Sequence, residues 1–147
     1  MDAKIKFPAA EFCPSGKFVC VVASYEEFSH CNGLDLRRSN FDDMELVDSN
    51  GNAFQENGIA NIQPTSPWWK WPYEWAWFNC RRFDIKVDLS EPVPITLNDF
   101  KEKIMTYVDL DRGMWESGIG VEEIKEEVRN AKTHREAIEV IYGQKID

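Results

Sequence analysis

The segment PWWKWPYEWAWFNCRRFDIKVDL, residues 67–89, contains five of the six tryptophans of the chain and then changes to a strict alternation. From Arg82 to Leu89 every second residue is apolar and the others are charged. This two-residue period is typical of a β-strand with one buried and one solvated face. We therefore predict a strand from Trp75 to Leu89, either continuous or split by a bulge at residues 79–81. Its buried face would carry Phe83, Ile85, Val87 and Leu89.

The first half of the segment differs because Pro67 precedes its leading tryptophans and Pro72 follows them. Proline cannot donate a hydrogen bond to a sheet, so residues 68–73 are predicted to form an extended loop or a sheet edge. An aromatic side chain buries roughly 150–250 Å² and serves either the core or a stacking platform for a sugar, a base or a partner protein. Candidate binding residues here are Trp68, Trp69 and Trp71, with a role in the core as the alternative.

Further strands are predicted on the N-terminal side of this segment. KFVCVVA, residues 17–23, is a valine-rich run that indicates a buried strand. Residues 24–31 begin with Ser and have Glu three positions on, which favours a short capped helix. Residues 44–48 are predicted to form a strand that enters a hairpin at 49–52, because Asn-Gly between apolar flanks is a strong hairpin signal. A second turn or bulge is expected at Asn57–Gly58.

The C-terminal third is predicted to be helical. A capping pattern at Thr96 opens a helix whose apolar stripe comprises Leu97, Phe100, Ile104 and Val108. Residues 109–120 contain three glycines and are predicted to form a loop. A helix over 121–132 follows, and Thr133 caps a last helix that ends at Gly143. Strands first and helices last predict an α+β fold, in which the C-terminal helices pack on one face of an antiparallel sheet.

Length and composition point to one domain spanning residues 1–147, with strands mainly in 17–89 and helices mainly in 96–142. The net charge is −9, from 26 acidic and 17 basic residues, which argues against nucleic acid and anionic membranes as partners. No apolar run approaches the roughly 20 residues of a membrane span. The N-terminal residues lack the apolar region of a signal peptide, so a cytoplasmic location is expected.

Motifs of known chemistry are not found in the sequence: it contains no phosphate-binding loop, dinucleotide fingerprint, zinc-protease motif or nucleophile elbow. The four cysteines show neither CxxC spacing nor a disulfide framework, and His30 beside Cys31 is predicted to be a packed or surface residue. His134 is predicted to lie on the surface. Asp109 and Asp111 leave a metal-dependent activity open as an alternative. We otherwise expect no catalytic residue, metal or cofactor.

Two acidic clusters are candidate partner-binding surfaces. One precedes the predicted hairpin and comprises Asp42, Asp43, Glu45 and Asp48. The other lies on one predicted helix and comprises Glu122, Glu123, Glu126 and Glu127. Like charges four residues apart cost a few tenths of a kcal/mol per pair in an isolated helix. Either these charges are simply solvated, or a cationic partner relieves their repulsion.

The order and the composition of the segments resemble those of a class of known proteins. The valine-rich strand, the hairpin LVDSNGNAF, the helix ITLNDFKEKIMTYV and the closing pair VEEIKEEVRNAKTHREAIEVIYG are similar to small acidic immunity proteins of bacterial polymorphic-toxin and contact-dependent growth-inhibition systems. The resemblance covers most of the chain but assigns no individual residue. It implies a cytoplasmic, non-catalytic protein that binds and neutralises a cognate toxin domain, often a basic nuclease. The alternative is a domain that binds a small molecule or carbohydrate through its tryptophan-rich loop.

Overall fold

A computed structural model describes residues 5–32, 43–65 and 82–147. In these ranges it contains one antiparallel sheet and a set of mainly C-terminal helices, the α+β fold that the sequence predicts. The strands are β1 (Ala9–Cys13), β2 (Phe18–Val22), β3 (His30–Asn32), β4 (Glu45–Asp48), β5 (Asn52–Pro64), β6 (Arg82–Leu89) and β7 (Val93–Pro94). The helices are α1 (Tyr25–Phe28), α2 (Leu97–Leu110), α3 (Arg112–Glu116), α4 (Val121–Asn130) and α5 (His134–Tyr142).

The strands are ordered β2-β1-β4-β5-β6-β3, and β7 pairs with the start of β5. Although β2 and β3 end this order, side chains of both line one cavity together with side chains of β6. The sheet is therefore curled, so that its two ends approach one another. We call the concave face of the curled sheet its inner face and the convex face its outer face.

Strand β1 lies inside the sheet, although the first strand predicted from the sequence begins only at Lys17. Ala9 pairs with Val22 of β2 on one side and with Asp48 of β4 on the other. The segment AAEFC has two alanines and one glutamate and lacks the β-branched residues that signal a strand. Its strand conformation comes from its two neighbours and not from its own composition.

The main core lies between the outer face of the sheet and helices α2, α4 and α5. Ala10, Phe12, Val19 and Val47 alternate onto this face from β1, β2 and β4. Helix α2 contributes three residues of its predicted stripe, Phe100, Ile104 and Val108, which are buried. The segment of α4 and α5 adds the buried residues Val121, Ile124, Val128, Ala131, Ala137, Ile138 and Ile141. The rings of Phe12 and Phe100 meet edge to face, with centroids 6.1 Å apart. This packing fixes the helices on one side of the sheet.

The predicted helix boundaries are confirmed where a local signal defines them. Thr96 accepts a hydrogen bond from Asp99 N, and Thr133 accepts one from Glu136 N, both at 3.1 Å. Such caps satisfy amide groups that the first helical turn leaves free. Gly143 ends α5 with a φ of 86°, a conformation that glycine adopts without a steric penalty.

Two predicted boundaries are wrong. Residues 109–120 are not one loop, because α2 continues to Leu110 and α3 follows at once. Arg112 stabilises this junction by pairing with Asp109 at 2.8 Å and with Glu116 at 3.6 Å. The first helix ends at Phe28, and residues 30–32 instead pair with β6 as strand β3.

The alternation from Arg82 to Leu89 is confirmed. Phe83 and Ile85 are buried, whereas Arg82, Asp84, Lys86 and Asp88 are exposed. The predicted N-terminal part of this strand, residues 75–81, lies outside the described residues. The bulge predicted at Asn57–Gly58 is confirmed by a register shift between Glu56 and Ile59.

The predicted hairpin turn is confirmed, and His134 packs against it. Gly51 has a φ of 81°, and its N–H donates to Asp48 O at 3.0 Å. His134 Nε2 donates to Ile95 O at 3.0 Å, and its ring lies 5.3 Å from that of Phe100. His134 is thus half-buried, which corrects its predicted surface position.

We expect Gly51→Ala to lower the free energy of unfolding by about 1–3 kcal/mol. The reason is that position 51 has a left-handed backbone conformation, which is strained for a residue that carries a Cβ. That Cβ would also lie 2.6 Å from His134 Cε1. Gly113→Ala is the matched control, since Gly113 lies in α3 and no atom lies within 4 Å of its added Cβ. It should be neutral or stabilise by up to about 1 kcal/mol. Equal midpoints of urea unfolding for the two variants would contradict this account.

Candidate functional site

Helix α4 presents an acidic face to solvent. Its buried residues are Val121, Ile124 and Val128, so the intervening positions point outward. All four predicted glutamates are exposed: Glu122, Glu123, Glu126 and Glu127. The structure therefore places this predicted cluster together on one surface.

The four glutamates differ in their partners. Glu122 lies 3.6 Å from Arg112, and Glu126 lies 3.1 Å from Arg129. Among the residues that the structure describes, Glu123 and Glu127 have neither an ion pair nor a side-chain hydrogen bond. Two carboxylates one helical turn apart are thus left without a cation.

An apolar groove of about 570 Å³ runs beside Glu127, between α4 and α5. We call it the α4–α5 groove. Its apolar residues are Ile119, Ala131 and Val140, its acidic residues are Glu127, Glu136 and Glu139, and Lys145 is the basic residue in its lining. Ile119 is 48% exposed. Glu136 accepts from Lys132 N at 2.6 Å, and Glu139 accepts from Arg135 Nε at 3.1 Å. Glu127 is therefore the carboxylate of this groove that is left to bind something else.

The three described residues of the other predicted acidic cluster do not form a charged surface together. Asp42 lies outside the described residues, and Asp43 is half-buried. Glu45 forms an ion pair with Lys103 of α2. Asp48 is completely buried, and its carboxylate accepts hydrogen bonds from the hairpin turn. Asp48 is thus a structural residue of the turn and is not accessible to a partner.

The tryptophan platform cannot be placed, because Trp68, Trp69 and Trp71 lie outside the described residues. Their role as binding residues stays a prediction.

The Asp109–Asp111 pair does not have the surroundings of a metal site. Asp109 lies 2.8 Å from both Lys125 and Arg112. The hydrogen bond from Lys125, together with the charges of Lys125 and Arg112, lowers the pKa of Asp109 below its usual value. Within the described ranges, no group of three His, Cys, Asp or Glu side chains is arranged to hold a metal ion. Two cations thus already neutralise this carboxylate.

A second cavity, of about 240 Å³, lies on the inner face of the curled sheet and was not predicted from the sequence. Polar groups from four elements line it: Glu11 (β1), Cys20 (β2), Glu27 (α1), and His30 and Cys31 (β3). Phe18 and Phe28 are its aromatic residues, and Val22, Met44, Ile85 and Val87 complete the lining. We call it the inner cavity.

Glu56 is a buried acid next to the wall of the inner cavity. Its side chain is 0% exposed, and its N–H donates to the O of the cavity residue Met44 at 2.8 Å. The Glu56 carboxyl group forms a hydrogen bond with the side chain of Glu11. Burial raises the pKa of Glu56 to about 9, and the negative charge of nearby Glu11 adds to this effect. Glu56 is therefore protonated at neutral pH.

The histidine and thiol of the inner cavity are not arranged as a nucleophile and base. Cys20 Sγ donates to Glu11 Oε2 at 3.5 Å. Burial, reinforced by the charge of Glu11, raises the pKa of the Cys20 thiol, so it stays protonated and unreactive. His30 is held between Asp84 Oδ1, 2.5 Å from its Nε2, and Glu26 O, 2.6 Å from its Nδ1. Among the described residues, Cys13, Cys20 and Cys31 are not part of a disulfide.

One signal in the sequence points to the inner cavity in retrospect. Glu11 and Glu56 occupy inward positions of β1 and β5, flanked along the same face by Ala9 and Phe54. A carboxylate at an apolar position of a strand indicates a paired or functional group. The inward position of Glu11 can be recognised only when β1 is known to be a strand.

Comparison with known proteins gives no relative: no family model, curated protein or solved structure matches the chain. None of the helices in the described ranges is long and apolar enough to cross a membrane.

Proposed function

We propose that this chain is a non-catalytic immunity protein, which binds a basic toxin domain of the bacterial cell and neutralises it. The observation that carries this proposal is the pair Glu123 and Glu127, exposed and without a cation beside the apolar α4–α5 groove. The resemblance of the segment order to immunity proteins gives the same expectation. An enzyme is not favoured, because two cations neutralise Asp109, Asp48 is a structural residue of the turn, and burial keeps the Cys20 thiol protonated.

Recognition would combine charge with an apolar anchor. Opposite potentials accelerate encounter and set the orientation of two proteins. Most of the binding energy in an interface comes from a few anchor side chains that fill pockets. The α4–α5 groove, at about 570 Å³, has the size of a typical ligand pocket. A side chain of the toxin would fill it against Ile119, and a lysine or arginine next to that anchor would pair with Glu127.

The partner is identified by affinity capture of the tagged protein from its native lysate, at low and at high salt, with mass spectrometry of the eluate. A single basic protein that is retained at low salt and released at high salt is the expected result. A partner retained at high salt would assign more of the affinity to apolar contacts. Capture of nothing, with the toxin shown to be present in the lysate, would overturn the immunity proposal.

With the purified partner, we expect Glu123→Lys combined with Glu127→Lys to slow association about tenfold and to flatten its dependence on salt. The matched control is Glu122→Lys combined with Glu126→Lys, which changes the net charge of the same helix equally. Those two side chains already pair with Arg112 and Arg129, so the control should slow association less. Stopped-flow association rates measure both. Equal rates for the two variants would show that only net charge matters and that the groove is not the site.

A further inference from the structure

Strand β2 ends the sheet, and its outer edge has no protection against another strand. It pairs with β1 on one side, and among the described residues no strand is hydrogen-bonded to its other side. The five residues of β2, FVCVV, include neither a charge nor a proline. Proteins commonly guard an edge strand with lysine, proline or a bulge, because its unpaired N–H and C=O groups can pair with a further strand. Strand β2 is therefore open to the addition of one more strand.

A groove of about 720 Å³ lies beside β2, where the helices pack on the outer face of the sheet. We call it the β2 groove; residues 16–21 line it on one side, and the ends of α2 and α5 together with α3 line it on the other. Three of its apolar side chains are strongly exposed: Leu110 (50%), Met114 (48%) and Tyr142 (39%). The apolar layer of the helices thus continues to the edge of the sheet and is incompletely covered there. A cluster of this kind is typical of an interaction surface.

The charges at the two ends of β2 indicate what covers this edge. Lys17 directly precedes the strand and is exposed, and no ion pair involves it among the described residues. Glu26 and Glu27 follow the strand in the first turn of α1. Glu26 shares its charge with Arg82 at 3.3 Å, whereas Glu27 accepts from the neutral Ala23 N–H, so this turn keeps a net negative charge. One end of the strand is thus positive and the other is negative.

A strand with opposite charges at its ends is complementary to an antiparallel copy of itself, because each end then lies beside the opposite end of its partner. In a pair centred on Cys20, Phe18 lies opposite Val22 and Val19 lies opposite Val21 of the second copy. Every contact in such an arrangement occurs twice, which is the property of a two-fold symmetric interface.

We propose that β2 pairs in this antiparallel register with β2 of a second copy of the chain, so that two sheets join into one. The two-fold axis is perpendicular to the joined sheet, which leaves the helices of both copies on the same side. Leu110 and Met114 of one copy then approach the same residues of the other across the two β2 grooves. The proposal is independent of the proposed function, since the β2 groove and the α4–α5 groove share no lining residue.

The net charge of the chain limits how strong this dimer can be. Each copy has a net charge of −9, so two copies repel one another at long range. At about 0.15 M salt, charges more than about 8 Å apart are largely screened, and the short-range contacts of β2 and its groove decide the outcome. We therefore expect a weak dimer, which dissociates at micromolar protein concentrations.

The first experiment measures the mass of the full chain by sedimentation equilibrium, in about 0.15 M salt with a thiol reductant, from about 1 to 300 μM protein. We expect a monomer–dimer equilibrium. Hydrogen exchange followed by mass spectrometry at both ends of this concentration range locates the interface. Amides of residues 17–23 should exchange more slowly at the high concentration, because pairing protects those that point outward from the edge.

Met114→Glu tests the β2 groove. Two like charges would face each other across the two-fold axis, so the dissociation constant should rise by about tenfold or more. Ile62→Glu is the matched control, because Ile62 is also 48% exposed but lies on β5. It introduces the same charge and should leave dimerisation unchanged.

Lys17→Glu tests the register of the two strands. It replaces two symmetry-related attractions by repulsions and should weaken the dimer by about tenfold. Addition of Glu26→Lys to this variant should restore most of the affinity, because the two charges are then exchanged. Lys132→Glu, at an exposed position between α4 and α5, is the control for net charge. Circular dichroism of each variant establishes that it is folded.

A folded wild type that stays monomeric at every concentration would overturn the proposal. A dimer that leaves the exchange of residues 17–23 unchanged, or that Met114→Glu and Lys17→Glu do not weaken, would place the interface elsewhere and overturn it as well. Protection of residues 17–23 in a monomer, and only when the captured partner is added, would assign the edge of β2 to a strand of another protein instead.

Discussion

Replacing Asp48 by alanine is expected to lower the free energy of unfolding by about 3–5 kcal/mol, from the loss of a buried, multiply bonded carboxylate. Its Oδ1 accepts from Asn50 N at 3.0 Å and from Asn52 N at 2.9 Å. Its Oδ2 accepts from Lys6 N at 3.2 Å and from Asn52 Nδ2 at 3.2 Å. Alanine leaves all four donors without this acceptor, in a turn that joins β4 to β5 and holds the segment before β1.

Urea unfolding followed by circular dichroism measures this effect. Asp88→Ala removes the same group from an exposed position and should change the stability by less than about 0.5 kcal/mol. Asp48→Asn keeps one acceptor oxygen and should fall between the two. A loss for Asp48→Ala no larger than that for Asp88→Ala would show that the turn does not depend on this carboxylate.

Stability should fall as the pH rises from about 5 to 9, because Glu56 is easier to ionise in the unfolded chain than in the folded protein. The ordinary pKa of 4.5 applies once the chain unfolds, whereas burial holds the pKa at about 9 in the fold. Between these values the folded state binds one proton more than the unfolded state. The free energy of unfolding therefore decreases by about 1.4 kcal/mol per pH unit across this window.

Glu56→Gln is expected to remove most of this dependence, because the amide does not titrate. The variant should be close to the wild type near pH 5 and more stable than it near pH 8, by about 1–4 kcal/mol. Urea midpoints of both proteins at the two pH values give the comparison. Parallel loss of stability in the two proteins would place the titrating group elsewhere.

Much of the fold could be predicted where the signal is local. Some signals act within a few residues, so a short stretch of sequence is enough to predict the structure they form. These are the caps at Thr96 and Thr133, the glycine at 143 and the Asn50–Gly51 turn. The alternating burial of β6 could likewise be predicted from a short stretch of sequence.

The remaining features depend on residues that are distant along the chain. Strand β1 is weak by composition and is a strand because β2 and β4 pair with it. Asp48 looked like one of several surface acids, and only the register of β4 shows that it points into the turn.

The candidate site, like the fold, could be predicted only where it depends on local sequence. Helical spacing alone places the four glutamates of α4 on its exposed face. It does not show that Arg112 and Arg129 neutralise Glu122 and Glu126 and leave Glu123 and Glu127 without a cation. The inner cavity could not be predicted, because it forms only where β1, β2, β3 and β6 come together.

The central position of β1 also has a consequence for the growing chain on the ribosome. Phe12 leaves the ribosome early, but the side chains that cover it, such as Phe100 and Tyr107, belong to α2 and are synthesised much later. At about 5–20 residues per second, this interval lasts on the order of ten seconds. During that time the apolar face of the nascent strand stays uncovered, which is a feature that chaperones recognise. The protein therefore completes its core only after α2 has been synthesised.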